Sequence, residues 1–152
     1  MRIDIVYLIF QKKICNKILL FIFLTGFSYA EDFWVIILCY HKVVPVDQLI
    51  QPAKVNYLAV SIDSFDAQMK FIKENYAVMS MKSFIDHLES QNPFDANSVV
   101  VTFDDGDGTI YKYAYPILKK YEIPATILLY TNVTTEKRGL KWGQIKEMSE
   151  NG

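Results

Sequence analysis

The sequence predicts an α/β fold in which strands and helices alternate around a parallel sheet or barrel, and three observations carry that prediction. Short runs of apolar and β-branched residues alternate along the chain with stretches whose apolar residues recur at helical spacings. Val99-Val100-Val101-Thr102-Phe103 has the composition of a strand covered on both faces, as strands of parallel sheets are. There is no internal repeat or low-complexity segment. With 51% hydrophobic residues in 152, the chain is not disordered, and it is long enough for one domain with a core. Only four or five strands can be counted, too few to close an eight-stranded barrel, so an open fragment is expected.

Residues 1–30 read as a secretory leader. Ile18 to Phe27 is an apolar run behind Lys12, Lys13 and Lys17, and Ser28-Tyr29-Ala30 supplies a small-residue cleavage site. The run is short of the roughly 20 residues that span a bilayer, so no stable membrane span is expected after cleavage, and export makes the protein secreted or periplasmic. An earlier apolar patch, Ile5 to Phe10, lies upstream of the lysines, so translation could start further in than Met1. The expected domain is residues 31–152.

Trp34 to Tyr40 reads as the first buried strand, with His41 at its carboxyl end. Val43 to Asn56 carries two prolines and no sustained period, the pattern of a loop, and Tyr57 to Val60 suggests a short extended stretch. Ser61 or Ser64 can cap a helix over about 63–75, whose stripe is Phe65, Met69 and Ile72 with Phe71 beside it. Tyr76 to Met79 gives a brief strand. Ser80 then opens a second helix with Phe84, Ile85 and Leu88 as its buried stripe, and His87 on the solvated side has no assigned function. Gln91 to Ser98 is a loop, and Val99 to Phe103 is the central strand. Thr109 to Tyr121 has helical spacing broken by Pro116, which demands a kink or a late start. Thr126 to Tyr130 is a further strand, and Leu140 to Met148 a closing helix with Asn151-Gly152 as its stop.

Charge excludes some partners. Taking residues 1–30 away leaves 12 basic and 16 acidic residues, with no basic run to hold nucleic acid. Cys39 is then unpaired and reads as a small hydrophobe in its strand. Asn132-Val133-Thr134 satisfies the glycosylation sequon, which carries meaning only in a eukaryotic host.

Chemistry concentrates in Val99 to Thr109, where Asp104 and Asp105 end the central strand and Gly106 and Gly108 let the backbone turn. Catalytic groups collect at the carboxyl ends of such strands. Local turn and cap chemistry accounts for an Asp-Asp-Gly equally simply. Three aspartates in four positions nevertheless repel one another, a cost that a bound cation relieves.

Taken with its neighbours, the motif resembles the polysaccharide deacetylase family, the NodB-homology or carbohydrate esterase 4 group, and within it the secreted branch acting on poly-N-acetylglucosamine. The resemblance is carried by Ile37 to Val43, Val60 to Leu88, Val99 to Gly106, Tyr115 to Asn132 and Leu140 to Met148. It implies a partial (β/α) barrel of the NodB type, amide hydrolysis of N-acetylglucosamine residues, Asp104 as general base and Asp105 as ligand of a divalent metal, with zinc the expected ion. His41 would face the same pocket, or be a packed or hydrogen-bonded strand-end histidine. The family completes its metal site with a His-Ser/Thr-x-x-His-like motif, which is absent from Trp142 to Gly152 and which His41 and His87 cannot imitate. The chain is therefore expected to be truncated before that motif, to hold metal weakly and to hydrolyse little.

Two other readings compete. Asp105-Gly106-Asp107-Gly108-Thr109 also resembles the first motif of haloacid-dehalogenase-like phosphatases, and Ile127 to Asn132 their second, which implies Asp105 as nucleophile, Asp107 as acid/base, Thr131 on phosphate and magnesium as cofactor. Against it, some seventy residues precede the motif after the leader and match the deacetylases instead. The third reading is a non-catalytic carbohydrate-binding remnant in which Trp142 stacks on sugars. A helix-loop-helix calcium site is excluded, because Thr109 and Ile110 stand where a ligand and a glycine are needed.

Overall fold

The structure, a computed structural model, describes residues 8–10, 33–51, 54–55, 58–130 and 132–151. β1 (Leu8–Phe10) runs antiparallel to β2 (Val35–Tyr40), with Leu8 opposite Ile37. β1 falls inside the segment read as a leader, and the remainder of that segment, with the cleavage site at Ala30, lies outside the described residues. Among the described residues no helix is long and apolar enough to cross a membrane.

The stretch expected to be a loop holds short regular elements instead. β3 (Lys42–Val44) is followed by one helical turn, α1 (Val46–Leu49), and by the antiparallel pair β4 (Ile50–Gln51) and β5 (Lys54–Val55). These elements are too short to imprint a period on the sequence, and Pro45 sits ahead of the helical turn, where its missing N–H costs nothing. β6 (Ala59–Ser61) pairs in parallel with β3, the extended stretch anticipated near Val60.

α2 (Ile62–Asn75) is capped by Ser61, whose Oγ accepts from the Ser64 N–H at 3.1 Å. Phe65, Met69 and Ile72 are buried, while Phe71 is exposed and packs edge-on against Tyr76. After β7 (Ala77–Val78), α3 (Met81–Ser90) is capped by Ser80 in the same way and ends at Gln91 in the left-handed conformation. Of its expected stripe only Phe84 is buried; Ile85 and Leu88 are exposed, because α3 meets the sheet along a single line of contact, Phe84 against Val35 and Val100. His87 is half-buried rather than solvated, stacked on Phe94 with Nδ1 2.9 Å from the Ser83 carbonyl oxygen.

β8 (Ser98–Asp104) is the centre of the sheet. β2 pairs with it in parallel along one edge, from Val35–Ser98 to Tyr40–Phe103. Its other edge is shared in parallel by β7, along Ser98 and Val99, and by β9 (Ala125–Leu128), along Val101 to Asp104. Both faces of β8 are covered, as its composition requires. Val99, Val101 and Phe103 face the main core with Phe65, Met69, Ile110, Ile117 and Leu118; Val100 faces the smaller cluster under α3. Tyr40, Phe65 and Phe103 pack with ring centroids 5.1 to 5.8 Å apart beneath the strand ends. Pro116 acts as its chemistry demands. A π-helical segment, Ile110–Ala114, precedes α4 (Tyr115–Tyr121), so the proline falls in the first turn of the α-helix. α5 (Trp142–Glu150) closes the described chain, packing Met148 with Tyr115 and Leu140.

Candidate active site at the carboxyl end of the central strand

The burial pattern of β8 explains why its last residue matters. Six buried residues carry the strand out of the core, and Asp104 follows them, half-buried, with Oδ1 sealed from solvent and without a hydrogen bond among the described residues. A buried carboxylate oxygen without a donor is costly and calls for an explanation beyond turn formation. Asp105 is exposed, at φ 67°, with no hydrogen bond or ion pair among the described residues. Gly106, at φ 68°, turns back at once, its N–H donating to the Asp104 carbonyl at 2.9 Å. A Cβ on Gly106 would run into the side chains of Leu129 and Val133, so close approach as well as positive φ requires glycine there.

The loop is held from the far side by residues 133–140. The Leu140 N–H donates to the Gly106 carbonyl at 2.9 Å, the Gly108 N–H to the Arg138 carbonyl at 2.6 Å, and Asp107 forms a single bridge with Gly139. Asp107 is spent locally: Oδ1 accepts from the Thr109 N–H at 2.9 Å, and Oδ2 lies 3.6 Å from Lys42 Nζ. The repulsion expected among three aspartates is thus eased at Asp107 by a lysine.

Parallel register sets His41 beside the motif. Tyr40 is opposite Phe103, so His41 leaves β2 one residue beyond the last pair, at the edge where Asp104 leaves β8. His41 is half-buried and makes no hydrogen bond among the described residues. Sequence reasoning missed two neighbours. Cys39 is unpaired as expected and also neighbours the motif: burial, with the Asp104 carboxylate next in effect, pushes its thiol up to about 11. Tyr130 lies two residues beyond β9, and the Glu136 carboxylate beside it, burial, and the charges of Asp105 and Asp107 push its phenol up to about 12. The signal for Cys39 was available in the pairing of Ile37-Leu38-Cys39-Tyr40 with the Asp-bearing strand; Tyr130 depends on a fold-back that no local pattern announces.

Comparison with known proteins places this geometry. The family model described as polysaccharide deacetylase matches residues 91–152, which include the whole of β8 and its loop. The poly-beta-1,6-N-acetyl-D-glucosamine N-deacetylase of Staphylococcus aureus is 38% identical over 103 residues, 64% of this chain and 35% of that protein. Over most of the described residues the chain is similar to polysaccharide deacetylases. Among solved structures, the Streptococcus pyogenes deacetylase PplD in complex with acetate is 34% identical with a TM-score of 0.66, covering 76% of this chain and 52% of that one. IcaB from Ammonifex degensii is 30% identical with a TM-score of 0.64, covering 78% and 49%. The chain therefore spans about a third of the length of the curated relative and about half of each solved neighbour. The fold is the α/β arrangement of these NodB-type deacetylases, parallel strands alternating with helices.

Members of this family are generally metal-dependent. Among the described residues no three His, Cys, Asp or Glu side chains gather where they could hold an ion. Asp105 offers an open carboxylate, but catalytic zinc takes three protein ligands, and the described residues do not fit that requirement.

Proposed function

We propose that residues 34–152 contribute the proton-transfer end of a secreted polysaccharide N-deacetylase acting on N-acetylglucosamine residues. In this reading Asp104 takes the proton from the water that attacks the acetyl carbonyl, Asp105 presents the carboxylate available to a divalent cation, and His41 borders the same pocket. The observation that supports it most is the Asp104 carboxylate, carried to the strand end by a buried run and left with an oxygen that no donor among the described residues serves. Hydrolysis splits the amide C–N bond, sending the acyl group away as acetate and leaving the sugar amine. Export through residues 1–30 belongs to the same reading, since the substrate is a polymer.

The phosphatase alternative is weakened by Asp107, which would have to move protons while bound to Lys42 and to the Thr109 N–H; its Thr131 lies outside the described residues. The carbohydrate-binding alternative keeps one observation, Trp142 at 70% exposure on α5. The test sets acetate release from N-acetylglucosamine oligomers, with added divalent metal, against phosphate release from a generic phosphoester. Slow acetate release is expected, since the described residues do not complete a metal site, and Asp104→Asn should remove what there is. Phosphate release dependent on Asp105 and Asp107, or acetate release indifferent to Asp104, overturns the assignment.

A further inference from the structure

We propose that the outer edge of β9, with the apolar cleft beside it, is a docking surface for a parallel β-strand delivered by a second polypeptide. β9 pairs with β8 along one side, and its other side has no strand partner among the described residues. An open strand edge presents a row of unpaired N–H and C=O groups, the template on which an extended segment adds. Leu128, Leu129 and Tyr130, three large apolar residues in succession, are all exposed where β9 ends. Docking depends on this edge and not on the chemistry proposed for Asp104.

The cleft supplies the apolar side of the contact. It holds about 580 Å³ between α4, β9 and α5, with walls that include Tyr115, Ile145 and Met148. Ala125, Ile127 and Leu129 also line it, and their alternation along the chain gives one face of the strand to the cleft. Tyr115 adds an unmet polar demand. The residue is buried, and its hydroxyl is sealed from solvent without a hydrogen bond among the described residues. Buried hydroxyls are normally paired, and a backbone group of a docked segment would answer this one.

The solved neighbours point to the occupant. Their fold is TIM-barrel-like, and a closed barrel pairs every strand on both sides. Only 52% of the Streptococcus pyogenes deacetylase and 49% of the Ammonifex degensii protein is covered by this chain, so about half of each barrel lies outside the match. The occupant is therefore a strand with apolar residues at alternate positions, carried by a polypeptide equivalent to that unmatched half and running parallel to β9, as β9 runs to β8. A second copy of this chain is disfavoured, because twofold pairing of two β9 edges runs antiparallel, while every pairing around β8 is parallel. A helix laid in the cleft would cover Tyr115 but leave the strand edge unpaired.

The test follows amide hydrogen exchange across β9 by mass spectrometry in the full chain, alone and with the unmatched half of the Ammonifex degensii protein added as a separate polypeptide. Overlapping synthetic peptides tiled through that half are a second probe, which needs no fold of its own. With either probe at about ten times its dissociation constant, exchange at the open edge should slow about tenfold, because only the undocked fraction exchanges. Leu129→Lys and Ile145→Lys, each placing a charge in the cleft and each checked by its melting temperature, should abolish the slowing. Slow exchange at both edges in the isolated monomer, protection that rises with the concentration of this chain alone, protection by neither probe, or protection that both lysine variants keep overturns the proposal. Protection without acetate release counts against the deacetylase reading alone; acetate release without protection counts against docking alone.

Discussion

Asp105 separates what the backbone needs from what the side chain does. It stands at φ 67° with an exposed side chain and no hydrogen bond or ion pair among the described residues. Removing such a side chain from an ordinary surface position changes stability by less than about 0.5 kcal/mol. In the left-handed region, however, alanine suffers the clash of Cβ with its carbonyl, about 1–2 kcal/mol, which a short polar aspartate tolerates better. Glycine escapes the clash but gives up about 0.5–1 kcal/mol more chain entropy on folding. Asp105→Ala should therefore lose about 1 kcal/mol, while Asp105→Gly stays within about 0.5 kcal/mol of the parent. Urea unfolding followed by far-ultraviolet circular dichroism, fitted with a common slope, resolves that difference, and the alanine variant should melt about 2–4 °C lower. Neither variant should release acetate. Alanine as stable as the parent, or glycine less stable than alanine, would refute the reasoning, because the left-handed backbone would then carry no cost.

The remaining predictions address the loop, the thiol and the surface. A Cβ on Gly139 would collide with the Val133 carbonyl oxygen, a backbone atom that cannot rotate away, so Gly139→Ala should cost about 3 kcal/mol or more. A Cβ on Gly143 in α5 would meet nothing within 4 Å among the described residues beyond its own helix, so Gly143→Ala should gain about 0.5–1 kcal/mol; a reversed order in urea titrations defeats both. With its thiol raised from 9.0 to about 11, Cys39 in a Cys15→Ser background should react with iodoacetamide at pH 8 roughly a hundredfold more slowly than an unperturbed thiol, and faster once Asp104→Asn removes the charge. A rate equal to that of free cysteine contradicts the assignment. Lys120 lies 2.8 Å from Asp66, and that hydrogen bond holds the Asp66 carboxyl below its ordinary value while raising Lys120. The Asp66 contribution is present above the ordinary carboxylate range and fades as pH falls through the lowered value; that of Lys120 is present below its ordinary value and fades as pH rises through the raised one. Asp66→Asn should consequently lower the melting temperature at pH 7 and approach the parent in strong acid, and an equal deficit at both pH values argues against the pair.

What was legible in the sequence follows from the range of the forces involved. β8 could be read because two-sided burial forces a continuous apolar run, and α2 because its buried residues recur on one face above a serine cap. The elements between Val43 and Asn56 could not, since two- and three-residue strands carry no period and owe their existence to pairing partners. Ile85 and Leu88 were misread for a related reason. Spacing shows that a stripe is apolar, but only the packing of α3 decides how wide a stripe the sheet covers, and here it buries Phe84, with Met81 partly covered, and leaves Ile85 and Leu88 out.

The site divides along the same line. Asp104, Asp105 and Gly106 declare themselves locally, because acids after a buried strand and a glycine at a sharp turn are demands of the immediate backbone. The roles separating the three aspartates are set at a distance. Lys42, on a different strand, neutralises Asp107; Cys39, on the paired strand, lies against Asp104; and the segment 133–140 fixes the loop through Leu140 and Arg138 main-chain bonds. Each of these partners could have been anything in a pattern that specifies only strand, turn and helix. Their combined effect is to leave Asp104 with an oxygen unserved among the described residues and Asp105 open to solvent while occupying Asp107, the distribution from which the proposed base-and-ligand reading is argued. Breaking that distribution offers a direct check. Lys42→Met should release Asp107 and raise the charge density of the loop, and divalent cations should then bind more tightly than to the parent in an isothermal titration. Unchanged cation affinity would mean that Lys42 does not govern the electrostatics of the three acids.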